Sequence, residues 1–153
     1  MNPKNKGFTL IELLIVVAII GLLTSIVSVA LNTSRMRARD ARRVSDMKQI
    51  KAGLDLYFQS GSGYPTEATW AANVGKMLQC GTDNTLVVPH DPLPTYSYTY
   101  AGVAPTYSGC GDIVTTGYTV QFFVENKNVY YTVDQAGTVR DAGGNAVSFD
   151  SLL

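Results

Sequence analysis

The hydrophobic pattern changes character twice along the chain. From Phe8 to Leu31 the residues are apolar with almost no interruption, and Glu12 is the sole ionisable side chain among them. A helix of that length spans about 36 Å, enough for a bilayer core of about 30 Å. No proline or glycine breaks Thr24 to Ala52, so the helix is expected to continue past the apolar run. There Val44, Met47, Ile50, Leu54 and Phe58 recur at steps of three and four, a single apolar stripe. Arg43, Asp46, Lys48, Gln49 and Asp55 fall on other faces, and Asp40 and Arg43 have the spacing of a helix-surface pair. Ser60-Gly61-Ser62-Gly63-Tyr64-Pro65 ends the element.

The rest of the chain reads as a small globular part. Thr66 can cap a second helix in which Trp70, Val74, Met77 and Leu78 share a face, closed by Cys80-Gly81. Asp83 to Pro94, with its three prolines, reads as a loop. Thr95 to Tyr100 alternates strictly and predicts a strand, followed by a Gly/Ser/Cys loop. Tyr118–Glu125, Asn128–Asp134 and Thr138–Arg140 then follow one another across the turns Asn126-Lys127 and Gln135-Ala136-Gly137. The predicted fold is α+β: a long N-terminal spine helix, its first half membrane-inserted, packed on a small antiparallel β-meander. The expected divisions are a leader at 1–7, a membrane half at 8–31, an amphipathic half at 32–60 and a globular part at 61–153.

Charge sharpens this picture. Twelve basic and twelve acidic residues cancel, so no bulk field points to nucleic acid. Locally, Arg35, Arg37, Arg39, Arg42 and Arg43 crowd together against Asp40 alone. Three readings stay open for them: a solvated helix face, contact with anionic lipid headgroups, or an acidic or nucleic-acid partner. The arginines on the far flank outnumber Lys4, Lys6 and the amino terminus, so the positive-inside rule alone places the C-terminal part in the cytoplasm. Cys80 and Cys110 argue the reverse, because an isolated pair reads as a disulfide in an oxidising compartment, against the alternative of two free thiols. Ser28-Val29-Ala30 has the form of a conventional signal-peptidase site, but the apolar run is long for a signal peptide and carries a carboxylate near its start.

Catalytic chemistry is thinly represented. His90 is the single histidine and lies in the stiff loop Pro89-His90-Asp91-Pro92. The cysteines lack zinc spacing, and no nucleophile elbow or phosphate-binding glycine loop is present. Asp134, Asp141 and Asp150 offer oxygen ligands to calcium without the spacing of a dedicated loop, and solvated turn residues are the simpler reading. The expectation is a protein that is not an enzyme and holds no cofactor.

Glu12 is the residue that most needs a reason. A carboxylate in hydrocarbon costs about 3 kcal/mol on insertion scales, and such residues are usually paired. No cation lies within the segment, so the expected partner is a neighbouring chain, a lipid amine or a group made by processing, unless Glu12 sits shallow enough to be hydrated. A cut after Gly7 would place a new amino group on Phe8, one helical turn from Glu12.

Lys6-Gly7-Phe8-Thr9-Leu10-Ile11-Glu12, followed by Leu13 to Leu23, resembles the class III signal of type IV pilins and type II secretion pseudopilins. Arg39-Asp40-Ala41-Arg42-Arg43, Asp46, Leu54-Asp55-Leu56-Tyr57 and Gly63-Tyr64-Pro65 resemble the major pseudopilin type, and Pro89-His90-Asp91-Pro92 and Tyr96-Ser97-Tyr98 are similar to its next loop and first strand. The resemblance implies cleavage between Gly7 and Phe8 by a prepilin peptidase, N-methylation of Phe8, and a role for Glu12 in neutralising a neighbour's terminal amine. It implies a homo-oligomeric filament of a type IV pilus or, alternatively, of a type II secretion or DNA-uptake machine, with an assembly platform in the membrane and minor pilins as partners and lipid contact before assembly; the alternative of a different class is a conventionally secreted or membrane-anchored binding domain. The resemblance also places the leader in the cytoplasm and the C-terminal part outside it, in agreement with the cysteines. Val29 stands where many relatives have a proline, which leaves Gly21 as the candidate point of helix flexibility.

Overall fold

The computed structural model describes residues 7–153; Lys4 and Lys6 of the expected leader lie outside the described residues. Two compact units divide the chain, Met1–Met36 and Arg37–Leu153. One helix, α1 (Leu10–Gly61), runs through 52 residues. It stops where Ser62 takes a positive φ of 57° and its N–H bonds the Phe58 carbonyl at 2.7 Å, closing the last turn.

In the first unit every large apolar side chain described between Phe8 and Leu31 is exposed. The apolar stretch of α1 is long enough to cross a membrane, and none of its most apolar window is buried. The helix passes Gly21 without a break, and a Cβ there would meet nothing within 4 Å. Thr24 and Ser28 return their hydroxyls to the carbonyls of Ile20 and Thr24 at 2.7 and 2.9 Å, which satisfies them without water.

The second unit is built on the C-terminal part of α1. Val44, Met47, Ile50, Leu54 and Tyr57 are buried along one face. Phe58 is not: it is 41% exposed, and Tyr57 takes the place the stripe had assigned to it. The step from Leu54 to Tyr57 is three residues rather than four, and both steps are compatible with one face. Full burial of a side chain such as Leu54 stabilises by about 2 kcal/mol.

Two antiparallel sheets cover that face. In the larger, β5 (Asp112–Val124) carries β4 (Thr99–Gly109) along one edge. Its other edge holds β1 (Tyr64–Pro65) and then β6 (Val129–Asp134), and the sheet continues through β7 (Val139–Arg140) to β8 (Ala146–Val147). Tyr118, Val120, Phe122 and Val124 of β5 point alternately into the core, each at most 1% exposed. A short 3-10 turn, Phe149–Leu152, adds Leu152 to the same cluster. The long helix on an antiparallel sheet is the α+β, pilin-like arrangement that the sequence predicts.

Three boundaries differ from expectation. Helix α2 (Glu67–Ala72) is capped by Thr66 as predicted, but it ends at Asn73. Gly75 takes a positive φ of 75°, which ends helical geometry, and Met77–Cys80 is strand β2 with Leu78 and Cys80 buried and their neighbours exposed. Its partner β3 (Asp83–Val87) occupies the first part of the expected loop. Residues 101–117, expected as mostly loop, are mostly strand, because Thr99–Gly109 folds back on Asp112–Gln121 around a Cys110-Gly111 turn with positive φ at both residues. The strand expected to begin at Thr95 begins at Thr99.

Candidate functional site

The N-terminal feature is a helix start. Thr9 and Glu12 form a reciprocal cap: the Thr9 N–H donates to Glu12 Oε2 at 2.9 Å, and the Thr9 hydroxyl donates to the same oxygen at 2.7 Å. In return the Glu12 N–H donates to Thr9 Oγ1 at 3.3 Å. This is a capping box, which satisfies helix donors that have no partner within the helix. The carboxylate also lies where the helix dipole favours negative charge. Glu12 therefore has a local partner in Thr9, for which the Thr-x-x-Glu spacing at 9–12 is the sequence signal.

Gly7 and Phe8 precede the helix and are exposed, Phe8 at 87%. The Gly7–Phe8 bond therefore lies in non-helical chain just ahead of the cap.

The arginine cluster does not form a uniformly solvated face. Arg43 is fully buried and meets three carboxylates: Asp40 at 2.8 Å, Asp91 at 2.6 Å and Glu125. Arg39 reaches Glu125 through Nε at 2.9 Å and Nη2 at 2.6 Å. Asp40 accepts, in addition, the backbone N–H groups of Glu125 and Asn126, both at 2.9 Å. The pair read as a weak helix-surface contact is the centre of a buried network tying α1 to the 89–94 loop and to the end of β5. Hydrogen bonds from the Arg39 guanidinium, helped by Arg43, hold the Glu125 carboxyl below its usual range. Arg35, Arg37 and Arg42 remain exposed.

Asp46 is likewise buried, not solvated, and accepts the Tyr98 hydroxyl at 2.7 Å. Burial pushes the Asp46 carboxyl up, against the opposing pull of that hydrogen bond. The same desolvation, with Asp46 beside it, raises the Tyr98 phenol far above its ordinary range.

Cys80 and Cys110 are joined in a disulfide that links β2 to the β4–β5 turn. It rests on the end of α1: a Cβ on Gly61 would overlap the Cys110 sulfur and lie 2.7 Å from that of Cys80. Glycine is required here by close approach, not by turn geometry.

The other candidates stay apart. His90 is exposed and lies over Gly75, whose missing Cβ makes room for its imidazole. It borders a hollow of about 460 Å³ with Trp70, Tyr96 and Tyr98, where Asp91 is already committed to Arg43. Asp134 and Asp141 accept backbone N–H groups of their own turns. Among the described residues no three His, Cys, Asp or Glu side chains gather as a metal site.

Residues 2–28 match the family model for the prokaryotic N-terminal methylation motif. Over 121 residues the chain is 29% identical to the type II secretion system core protein G of Escherichia coli K12, covering 76% of this chain and 83% of that protein. The chain is similar to type IV pilins and type II secretion pseudopilins. Two further relatives of this pilin-like chain match it over its N-terminal part. The core protein G of Dickeya chrysanthemi is 36% identical over 66 residues, 43% of each chain. The type IV major pilin PilA of Myxococcus xanthus is 36% identical over 63 residues, 41% of this chain and 29% of that one. The matched stretch is thus less than half the length of the Dickeya protein. No solved structure matches the pilin-like chain.

Proposed function

We propose that this chain is the structural subunit of a type IV pilus-like filament, assembled from a membrane-anchored precursor through its apolar N-terminal helix. The observation that carries the reading is the first half of α1, where every large apolar side chain described between Leu10 and Leu31 is exposed and whose start holds Glu12. An exposed apolar surface of this size needs lipid before assembly and other copies of itself afterwards. In this reading a prepilin peptidase cuts between Gly7 and Phe8, and the new Phe8 amine is methylated. Glu12 then pairs with the terminal amine of a neighbouring copy, so that the cost of a carboxylate in hydrocarbon becomes a drive toward assembly. The C-terminal unit lies outside the cytoplasm, which the disulfide supports. The assembly platform and minor pilins are partners in the same sense.

A second reading, a pseudopilin of a type II secretion machine, is favoured by the match to core protein G along 83% of the Escherichia coli protein. The two readings share one assembly chemistry and one test. Glu12→Ala should leave the subunit in the membrane and remove it from the filament fraction sheared from cells. Filaments at wild-type level from that variant would remove the role given to Glu12.

A further inference from the structure

Two buried side-chain atoms among the described residues have no hydrogen-bond partner, Trp70 Nε1 and the Tyr118 hydroxyl. Such groups are rare, because each forfeits the hydrogen bond it makes to water in the unfolded chain. Only Trp70 of the two lines a hollow: it is 3% exposed and walls the space of about 460 Å³ bordered by Val74 and the 89–98 segment. That volume suits a small ligand or a few residues of a peptide. Three prolines of the 89–94 loop and the rings of Tyr96 and Tyr98 make most of the remaining wall. Its carboxylate, Asp91, is already engaged, since Arg43 takes both oxygens and the Leu93 N–H also takes Oδ1. The Tyr98 hydroxyl already donates to Asp46. The hollow therefore has an indole N–H to offer and no free carboxylate to receive a donor.

We propose that this hollow binds an extended, proline-bearing segment of a partner protein, with a prolyl carbonyl accepting the Trp70 indole N–H. A prolyl amide carries an acceptor and no donor, so it satisfies Trp70 without bringing in an N–H that the engaged Asp91 cannot serve. Among the described residues no lysine or arginine lines the hollow, which argues against an anionic ligand. Proline-rich segments are preformed in an extended helix without internal hydrogen bonds, and they dock in aromatic-lined grooves with little loss of freedom. The wall is also set beforehand. Trp70 stacks on Tyr100 with centroids 4.8 Å apart, Tyr96 stacks on Phe123 at 4.4 Å, and the paired bonds from Arg43 to Asp91 hold the loop. All of these residues belong to the second unit, so the inference stands apart from the filament reading of Glu12.

The test titrates the full chain in detergent with a dansyl-labelled acetyl-hexaproline amide and, as control, a labelled hexapeptide of alternating glycine and serine. Dansyl anisotropy reads binding. Trp70 is the single tryptophan, so a change in its emission places the peptide at this hollow. Hexaproline should bind saturably with that change, and the glycine-serine peptide should not bind. Trp70→Phe keeps a ring against Tyr100 and removes the donor, and it should weaken binding about tenfold. Ser97→Trp sets a bulky ring at an exposed position of the wall and should abolish binding. Circular dichroism and mapping of the Cys80–Cys110 link report whether each variant is folded. No saturable hexaproline binding to the native chain, unchanged Trp70 emission at saturation, or equal binding of the control would each overturn the proposal. So would native affinity in folded Trp70→Phe or Ser97→Trp. Displacement of the peptide by maltotriose would overturn it in favour of a sugar, and loss of peptide binding as the chain is concentrated would overturn it in favour of a second copy.

Discussion

Arg43 and Asp91, 48 residues apart in the chain, meet through two parallel hydrogen bonds, Nε to Oδ2 at 2.6 Å and Nη2 to Oδ1 at 2.7 Å. Neither side chain is more than 1% exposed. This fork geometry is specific to arginine. It fixes the 89–94 loop on α1 within the second unit. Arg43→Met should therefore destabilise the full chain by about 3–5 kcal/mol, because it leaves buried carboxylates without their cation. Arg43→Lys should recover only part of this, since an ammonium cannot serve Asp40, Asp91 and Glu125 together with the same geometry. Urea unfolding in detergent, followed by tyrosine fluorescence, reads both.

The acid side of the stability profile should carry a Glu125 component. Its folded-state pKa is lowered by Arg39 and Arg43, so its contribution is present above the unfolded value of about 4.3 and is lost as pH falls through the lower folded value. Glu125→Gln should flatten the loss of stability below about pH 4.3. An acid limb unchanged by that substitution would show that Glu125 does not titrate with folding.

Asp46 has the opposite sign. Burial raises its folded pKa, so its contribution is full below the unfolded value of about 3.9 and is lost as pH rises through the folded value. Asp46→Asn keeps an acceptor for the Tyr98 hydroxyl and removes the buried charge. Relative to the wild type, this variant should gain stability at pH 7 compared with pH 3. Parallel urea midpoints at the two pH values decide it.

Gly61 and the disulfide should fail together. Gly61→Ala puts a methyl into the space of both sulfurs, so non-reducing peptide mapping should find a fraction of free Cys80 and Cys110. Removing the link by Cys80→Ser with Cys110→Ser should cost about 3 kcal/mol, the scale for a closed loop of this order. A fully formed disulfide at wild-type stability in Gly61→Ala would contradict the packing described here.

The parts legible in sequence were those with local signals. The apolar run, the stripe from Val44 to Leu54 and the turn residues after Gly61 each announce themselves within a few positions. Thr9 and Glu12 are also local, and their Thr-x-x-Glu spacing is the signal of a capping box. Arg43 was not legible, because an arginine among arginines reads as solvated and its partners Asp91 and Glu125 lie 48 and 82 residues away. Met77 to Cys80 was ambiguous for another reason: a short apolar segment fits a period of two as well as 3.6. Burial of Leu78 and Cys80, and Gly53 leaving room for Leu86 against α1, decided for the strand.

The central claim is that this chain is prepared for polymerisation by a cut that creates a charge near Glu12. Intact mass measurement of the native mature protein tests it most directly. The account predicts a chain that begins at Phe8 and carries one added methyl on its amino group. A chain that retains Met1, or one that begins at Leu31 after conventional signal-peptide removal, would contradict it.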